Sequence, residues 1–498
     1  MAYLGIDIGT SGCKACSFDE EGHVLSHAAE GYQEKRGDGI REIDPAVVKK
    51  AVGNVISETA RTCREPIRSV CVTCLGESMV LLDEKGEILT GSMVTGDNRG
   101  GKEVEELLGK ISSEEVFART GLMPASLYSL PKLMWLKNHT DVIGRARKIF
   151  FYEDYIGYLL TGERVVSYSS AARSMAFDIH RLCWDEELLG FAGLSSSAFS
   201  TPVPSGTVIG QVGEMAGEIF GLPAGIPVIA GGHDQVCAAL GSSLSGMDTA
   251  EDGIGTCEFF SVLLLAKRAQ AKILSSFDMP YMWYPLADTC FTAAEVTTCG
   301  ALMNWMRDVP LRAISKDCRD MGQNFFAHMD QRVSGKRTDL LVLPQFGSSG
   351  NPDLNLDHMA GTIWGLTLDT KEEDLYLAAK ESTVFQIRLA LEEASELGIL
   401  FHRIVLTGGA SQSPVTARIR ANIFKKPVYT LSNPEAGSLG CMILSAVALG
   451  VYQDIPEAVQ RVVRFAGEYL PEEKEVAFQE EKYQRFRELY EKMHLFGR

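Results

Sequence analysis

The sequence predicts an α/β protein built from two related halves. Three observations point there. The chain opens on a glycine-studded turn between two apolar runs, GIDIGTSGCK (Gly5–Lys14). The turn starts again at Ile254-Gly255-Thr256, inside EDGIGTCEFFSVLLL (Glu251–Leu265). Two strand–glycine–helix junctions follow the same design, PVIAGGHDQVCAALG (Pro227–Gly241) and RIVLTGGASQSPVTARIRANIFKKPV (Arg403–Val428). At 498 residues the chain has room for several domains of about 100–200 residues each.

Tyr3–Gly9 and Lys14–Asp19 read as strands, and Glu20-Glu21-Gly22 turns the chain into a third, His23–Ala29. Asp44-Pro45 opens a helix over Ala46–Thr62, with Pro45 suited to a first helical position. Strands follow at Ile67–Thr73, Val80–Asp83 and Pro227–Ala230. The small, polar stretch Ser243–Asp252 marks a boundary, which predicts domains at 1–247 and 248–498. In the second half Ile404–Leu406 reads as a strand and Pro414–Phe424 as a helix. Strands interleaved with helices define the α/β class.

Composition excludes several roles. The net charge of −17 opposes broad nucleic-acid or anionic-membrane binding, which needs a basic footprint. No apolar run approaches the roughly 20 residues of a membrane span, and Met1 leads straight into a strand with no basic or apolar leader. The expected location is the cytoplasm. Among the 12 cysteines, the pairs Cys13/Cys16 and Cys71/Cys74 have CxxC spacing but lie in strands. Residues three apart in a strand face opposite ways, so neither pair can converge on one metal, and buried apolar thiols are expected.

In the opening strand, alternation puts Leu4, Ile6 and Ile8 on one face and Tyr3, Gly5, Asp7 and Gly9 on the other. Asp7 then stands between two glycines, with no side chains to crowd it. The Gly9–Gly12 turn can aim N–H groups at an anion, with Thr10 and Ser11 adding hydroxyls and Lys14 a charge. A carboxylate beside a phosphate cradle requires a cation between them, so Asp7 is expected to face Mg²⁺ through water. A plain tight hairpin is the alternative. The GxxxxGK[ST] phosphate loop is absent. Asp234, at the end of a strand, lies where ligands bind in open α/β sheets; an N-cap is its alternative reading. Gly408-Gly409-Ala410 would let a ligand ring approach the backbone.

Together these segments resemble the FGGY family of carbohydrate kinases, in the sugar kinase–actin–chaperone ATPase superfamily, in order over nearly the whole chain. Gly5–Lys14 is similar to the family's first phosphate motif and Gly255-Thr256 to its second. SLPKLMWLKNH (Ser129–His139) resembles the first signature, departing at Leu127. GTIWGLTLDTKEEDLYLAAKES (Gly361–Ser382) resembles the second, departing at Lys380, where an apolar residue is usual. Gly408–Val428 with NPEAGSLGCMILSAVALG (Asn433–Gly450) resembles the adenosine motif and its following helix.

The resemblance implies two actin-like ATPase domains of ribonuclease-H topology with an interdomain cleft, closing on substrate. It implies Mg-ATP mostly on the second domain, through Gly255, Thr256, Gly408, Gly409 and Ala410, with Thr10, Ser11 and Lys14 as the first jaw. A small sugar or polyol would sit on the first domain, with Asp234 as general base. Glu77 falls where glycerol kinases use a Glu on substrate hydroxyls, but Gly76 replaces their preceding Arg. Asp234-Gln235 resembles the glycerol-kinase form of the base motif. Asp97 and Arg99 match a Trp-x-Asp-x-Arg element whose Trp is missing here. Glu77, Asp97, Arg99, Asp234 and Gln235 are thus the candidate acceptor contacts, and the alternatives are a solvated loop for Glu77 and a structural ion pair for Asp97 and Arg99. The xylulokinase pattern Gln-Met-His-Gly is absent, and a ketopentose or tetritol is the favoured acceptor. His233 reads as packing beside the base. A homodimer is left open. An actin- or chaperone-like ATPase, or an inactive sugar-sensing relative, are the competing readings.

Overall fold

In the computed structural model, which describes residues 1–37, 39–268, 274, 279–346 and 360–496, the opening run folds as the strand Ala2–Ile8. It pairs antiparallel with Gly12–Phe18, which pairs antiparallel with Val24–Gly31. Asp44 caps the next helix, Pro45–Thr62, by accepting from Ala46 N–H, with Pro45 in its first turn. That helix buries Val48, Ala51, Val52, Val55 and Ile56 in one core with Leu4, Ile6 and Ile8. The other side of Ala2–Ile8 takes a parallel strand, Ile67–Cys74, and then Pro227–His233, also parallel, and Val208–Gln211, antiparallel.

The second half repeats this order of pairings. Glu258–Leu265 lies antiparallel to Thr249–Ile254, which is parallel to Arg403–Thr407. Arg403–Thr407 is parallel to Val428–Leu431, which is antiparallel to Phe465–Tyr469. The hairpin, parallel, parallel, antiparallel succession is the same in both sheets. The short echo at Ile254-Gly255-Thr256 was therefore the visible trace of a duplicated topology.

The chain divides into two compact units. One holds Met1–Gly246, Leu264–Thr292 and Glu435–Val463; the other holds Met247–Leu263, Ala293–Pro434 and Arg464–Arg498. The first passage between them falls inside the polar stretch read as a boundary. Residues 264–292 and 435–463, beyond position 248, cluster with the first unit, a return that composition does not signal.

Backbone packing explains that return. The helix Ala436–Ala448 covers the Gly5 face of the first strand, and a Cβ on Gly5 would stand 2.3 Å from the Ser438 carbonyl oxygen. The face expected to be open around Asp7 is therefore roofed by this helix, and Gly5 serves helix–strand contact. The same helix crosses Asp234–Gly241 just as closely: a Cβ on Gly440 would meet the Cys237 carbonyl oxygen at 1.9 Å, and one on Gly241 the Ala436 carbonyl oxygen at 2.0 Å. The strand expected over Pro227–Ala230 also runs further, to His233, because Gly231 lets it lie against Ile67–Cys74; a Cβ there would meet the Val72 carbonyl oxygen at 2.0 Å.

Cys13 and Cys74 turn into the core beneath the sheet, whereas Cys16 reaches Ser438 and Cys71 reaches Cys441 on the roofing helix. Each CxxC pair is split between two faces, as strand alternation requires. All 12 cysteines are free. Among the described residues no helix is long and apolar enough to cross a membrane.

Overpacking a tight core contact costs about 1–3 kcal/mol. Gly440→Ala is expected to lower stability by that order, read as a drop in the urea midpoint of the first unit. Gly101→Ala, in a helix with nothing within 4 Å of the added carbon, is expected to hold or raise it.

Candidate functional site

The first unit concentrates its polar chemistry where Ala2–Ile8, Ile67–Cys74 and Pro227–His233 end. Asp7 and Lys14 are cross-strand partners in the opening hairpin, with Lys14 Nζ 3.5 Å from the Asp7 carboxylate and 2.7 Å from Glu435. Burial raises the Asp7 pKa, and the Lys14 charge opposes that rise. Burial also disfavours the Lys14 charge, but Asp7 and Glu435 outweigh it and its pKa is raised. Lys14, expected to reach out to phosphate, is thus clasped between two carboxylates. Cys16, His27 and Glu435 bring ligand-type atoms within 4.8 Å of one another, but the Lys14 ammonium already supplies positive charge at Glu435. Thr10 is half-buried and Ser11 exposed at the tip of the turn, which Gly9 N–H closes onto the Gly12 carbonyl at 2.9 Å.

Asp234 is the first residue of its helix, and His233, not Asp234, occupies the N-cap position. The Asp234 Oδ1 accepts the Gln235 backbone N–H at 2.7 Å, and Gln235 is half-buried beside it. Its side chain is 38% exposed, yet it sits in a recess where protein atoms displace bulk water. That burial, with the negative charges of Asp7 and Glu77, pushes its pKa up to about 7. His233 Nε2 lies 3.1 Å from Asp234 Oδ1. Burial and the nearby Arg173 charge push this imidazole down to about 3, so it stays neutral. Its backbone N–H donates to Ser169 Oγ at 3.1 Å. Ser167 and Ser170, flanking Ser169, donate to the buried Glu153, whose own pKa burial raises to about 7.

Glu77 is buried at 3% exposure, which excludes the solvated-loop reading of it. It accepts from Arg173 Nε at 2.8 Å, from Arg173 Nη2, and from Thr95 Oγ1 at 3.0 Å. Burial alone would raise its pKa, but the Arg173 charge above all, with Lys132, reverses the shift, to about 2. Sequence reading missed Arg173, Thr95 and the serine cluster. Arg173 follows a helix of small residues, Tyr168–Ala172, in no recognisable motif.

Asp97 and Arg99 pair with each other, and both, like Glu77 and Arg173, act on the Lys132 charge. Asp97, fully buried, accepts from Arg99 Nε at 2.9 Å and from the Arg41 backbone N–H at 2.9 Å, and Arg99 also pairs with Glu42. The Arg99 guanidinium lies 4.7 Å from the Trp135 ring centre, and Lys132 Nζ donates to the Val94 carbonyl at 3.0 Å. In this structure Asp97 and Arg99 fasten the 94–99 turn to its scaffold.

The second unit carries a cavity of about 890 Å³, large enough for a nucleotide-sized ligand. Gly255, Thr256, Gly409 and Ala410 line it, with Asn324, Tyr376 and Lys380. Gly255 N–H closes its turn onto the Cys257 carbonyl at 2.9 Å, leaving Gly255 and Thr256 exposed at the tip. Gly408 does not line the cavity. It adopts a left-handed φ of 81° and brings the chain against the Ile254 backbone, where a Cβ would fall 2.4 Å from the carbonyl oxygen. Lys380, the departure from the second signature, donates to Asp330 at 2.6 Å and to Thr416 Oγ1 at 2.9 Å, and Tyr376 also donates to Asp330, at 2.9 Å. Burial lowers its pKa against the pull of Asp330.

Duplicated sheets, each with a Gly-Thr hairpin, an acidic recess in one unit and a nucleotide-sized cavity in the other define an actin-like phosphotransferase. Models of the N-terminal and C-terminal domains of one carbohydrate kinase family match residues 2–241 and 254–449, and the chain belongs to the FGGY family of carbohydrate kinases. It is similar to a gluconokinase of Bacillus licheniformis, 26% identical over 90% of this chain and 87% of that one. It is also similar to an autoinducer-2 kinase of Klebsiella pneumoniae, 26% identical over 95% and 90%. The solved structure of a xylulose kinase from Rhodospirillum rubrum superposes over 100% of both chains with a TM-score of 0.89 at 25% identity. The protein is a carbohydrate kinase of the two-domain, actin-like ATPase fold.

A carboxylate serving as general base must be ionised. For a general base at Asp234, kcat/KM for the acceptor is expected to fall on acidification, with its midpoint below about pH 7 under saturating Mg-ATP because a cation at Asp7 removes part of the repulsion that raises this carboxyl, measured as a pH–rate profile.

Proposed function

We propose that the protein phosphorylates a hydroxyl of a small sugar or polyol with ATP, with Asp234 as general base. The observation that carries this is Asp234 itself: a partly open carboxylate at a strand end, its pKa about 7, beside the anionic, fixed Glu77. A ketopentose or tetritol is the favoured acceptor. Relatives named for gluconate, xylulose and autoinducer-2 share the fold at about a quarter identity, so acceptor choice rests on this chain's own pocket.

Glu77 accepts hydrogen bonds from acceptor hydroxyls and orients the one that reacts. Asp234 holds that hydroxyl within about 2.6–3.2 Å and takes its proton as the bond to phosphorus forms. In a loose phosphoryl-transfer transition state the proton leaves late, so positioning and charge stabilisation dominate. The tips of the Gly9–Gly12 and Gly255–Cys257 turns, with Thr10, Ser11 and Thr256, offer N–H and hydroxyl groups to phosphate oxygens. Gly409 and Ala410 give the nucleoside close access to backbone.

The residues fit Mg²⁺. Asp7 is a hard oxygen donor whose charge contributes to the raised Asp234 pKa, and a divalent cation held at Asp7 would relieve that repulsion. When bound, the ion offsets negative charge on the ATP phosphates.

A panel of ketoses, polyols and sugar acids assayed with Mg-ATP, with products identified by mass spectrometry, tests the reading. A phosphorylated acceptor is expected; ATP turnover indifferent to every acceptor supports an ATPase instead. Asp234→Ala is expected to cut kcat by at least about 100-fold, within the range of general-base contributions. ATP affinity, measured by calorimetry, should stay within about threefold, because Asp234 acts on the acceptor.

A further inference from the structure

Arg173 is the most engaged residue of the acceptor recess that no motif announced. Its Nε and Nη2 both donate to Glu77 Oε1, a one-sided fork that fixes the carboxylate plane and leaves Oε2 with Thr95. Its guanidinium carbon lies 5.1 Å from the Tyr128 ring centre. Its Nη1 meets the Met282 thioether at 3.5 Å. A Cβ on Gly76 would stand 2.9 Å from Arg173 Cγ and 2.6 Å from His233 Cδ2. Arg173 and the residue before the base therefore share the space that Gly76 leaves clear.

We propose that Arg173 is a positioning residue for acceptor binding: it holds Glu77 as an oriented anion whose remaining lone pairs receive substrate hydroxyls. The inference rests on the sugar-phosphorylation reading and deepens it. A carboxylate in this recess without a partner would take up a proton, since burial is the largest influence on it. A protonated Glu77 becomes a donor and loses its directional acceptor geometry. The pair also narrows the acceptor. The segment touching Glu77 carries hydroxyl donors, because a substrate carboxylate there would face Glu77 with Arg173 already engaged.

The groups that face Glu77 are Arg173, His233, Lys132 and Thr95, with the Asp234 carboxylate as its negative neighbour. His233 is neutral, so it cannot replace the Arg173 charge. Lys132 sits in the same recess with its ammonium on the Val94 carbonyl, and burial lowers it to about 8. Arg173 is therefore the one partner in direct contact that is charged at every working pH.

The test is steady-state kinetics of Arg173→Met, Arg173→Lys, Glu77→Gln and the double variant Glu77→Gln/Arg173→Met, with the best acceptor of the panel, from about pH 5 to 9. Arg173→Met is expected to raise acceptor KM at least tenfold, with kcat within about threefold. It should also make KM climb as pH falls, because the sign of the Glu77 shift reverses once the guanidinium is gone. In Glu77→Gln the same change is expected to cost less than threefold. Arg173→Lys, which keeps the charge and loses the fork, is expected to raise KM three- to tenfold with no new pH dependence. Should Arg173→Met not fold, Arg173→Lys and the charge-neutral double variant carry the comparison, with ATP KM and thermal midpoint reporting on folding. An Arg173→Lys KM within twofold of the wild type, or an Arg173→Met penalty equally large in Glu77→Gln, overturns the proposal. A chain that phosphorylates no acceptor overturns the parent reading and this one with it; a working kinase indifferent to Arg173 overturns this one alone.

Discussion

Backbone-to-backbone contact around the helix Ala436–Ala448 sets the position of the acceptor-side carboxylates. Gly5 and Gly440 remove the side chains that would hold this helix off the strand Ala2–Ile8 and off the helix Asp234–Gly241. Asp7 lies under the first turn of the roofing helix, where a Cβ on Gly437 would come 2.9 Å from its Oδ2. Asp234 begins the helix whose last residue, Gly241, rests on Ala436. One close-packed helix thus fixes both acids, and their electrostatic coupling follows from packing rather than from any direct bond.

Within that frame, burial acts on every ionisable group and its neighbours decide the outcome. The recess pushes Asp234 up, where two negative neighbours reinforce burial. It leaves Glu77 far down, because the Arg173 and Lys132 charges overcome burial. His233 loses its charge because Arg173 and burial act in the same direction. Two carboxylates that both feel the Arg173 charge therefore shift in opposite directions, Asp234 up and Glu77 down.

The second unit shows the same logic at its cavity. Lys380 is a departure from the signature this segment resembles, and Asp330 with Thr416 answers its buried ammonium. Removing only one member of such a pair leaves a buried charge uncompensated. The network also ties the helix Glu372–Glu393 to Phe325–Val333 and Pro414–Phe424 around the cavity wall. The departure from the signature is matched by partners within this chain.

The sequence by itself determined the α/β class, the repeated Gly-Thr hairpin, the helix starts at Pro45 and Pro414, and the family. The class, the hairpin and the helix starts depend on alternation, capping and spacing between near neighbours along the chain; the family came from the resemblance of motifs in order along it. It also picked out Asp7 and Asp234, each beside a strand end or a glycine turn, and the family resemblance added Glu77. Only the tertiary structure decided what they touch. Lys14 reads as a free cation until Glu435 arrives from the far end of the chain, and the solvated-loop alternative for Glu77 stays open until Arg173 closes on it. Asp97 and Arg99 stand two positions apart in the sequence, but their further partners Arg41, Glu42 and Trp135 show only in the fold. Local pattern records which face a residue presents. Partners tens to hundreds of positions away settle its charge and its role, and no spacing rule connects them before the chain folds.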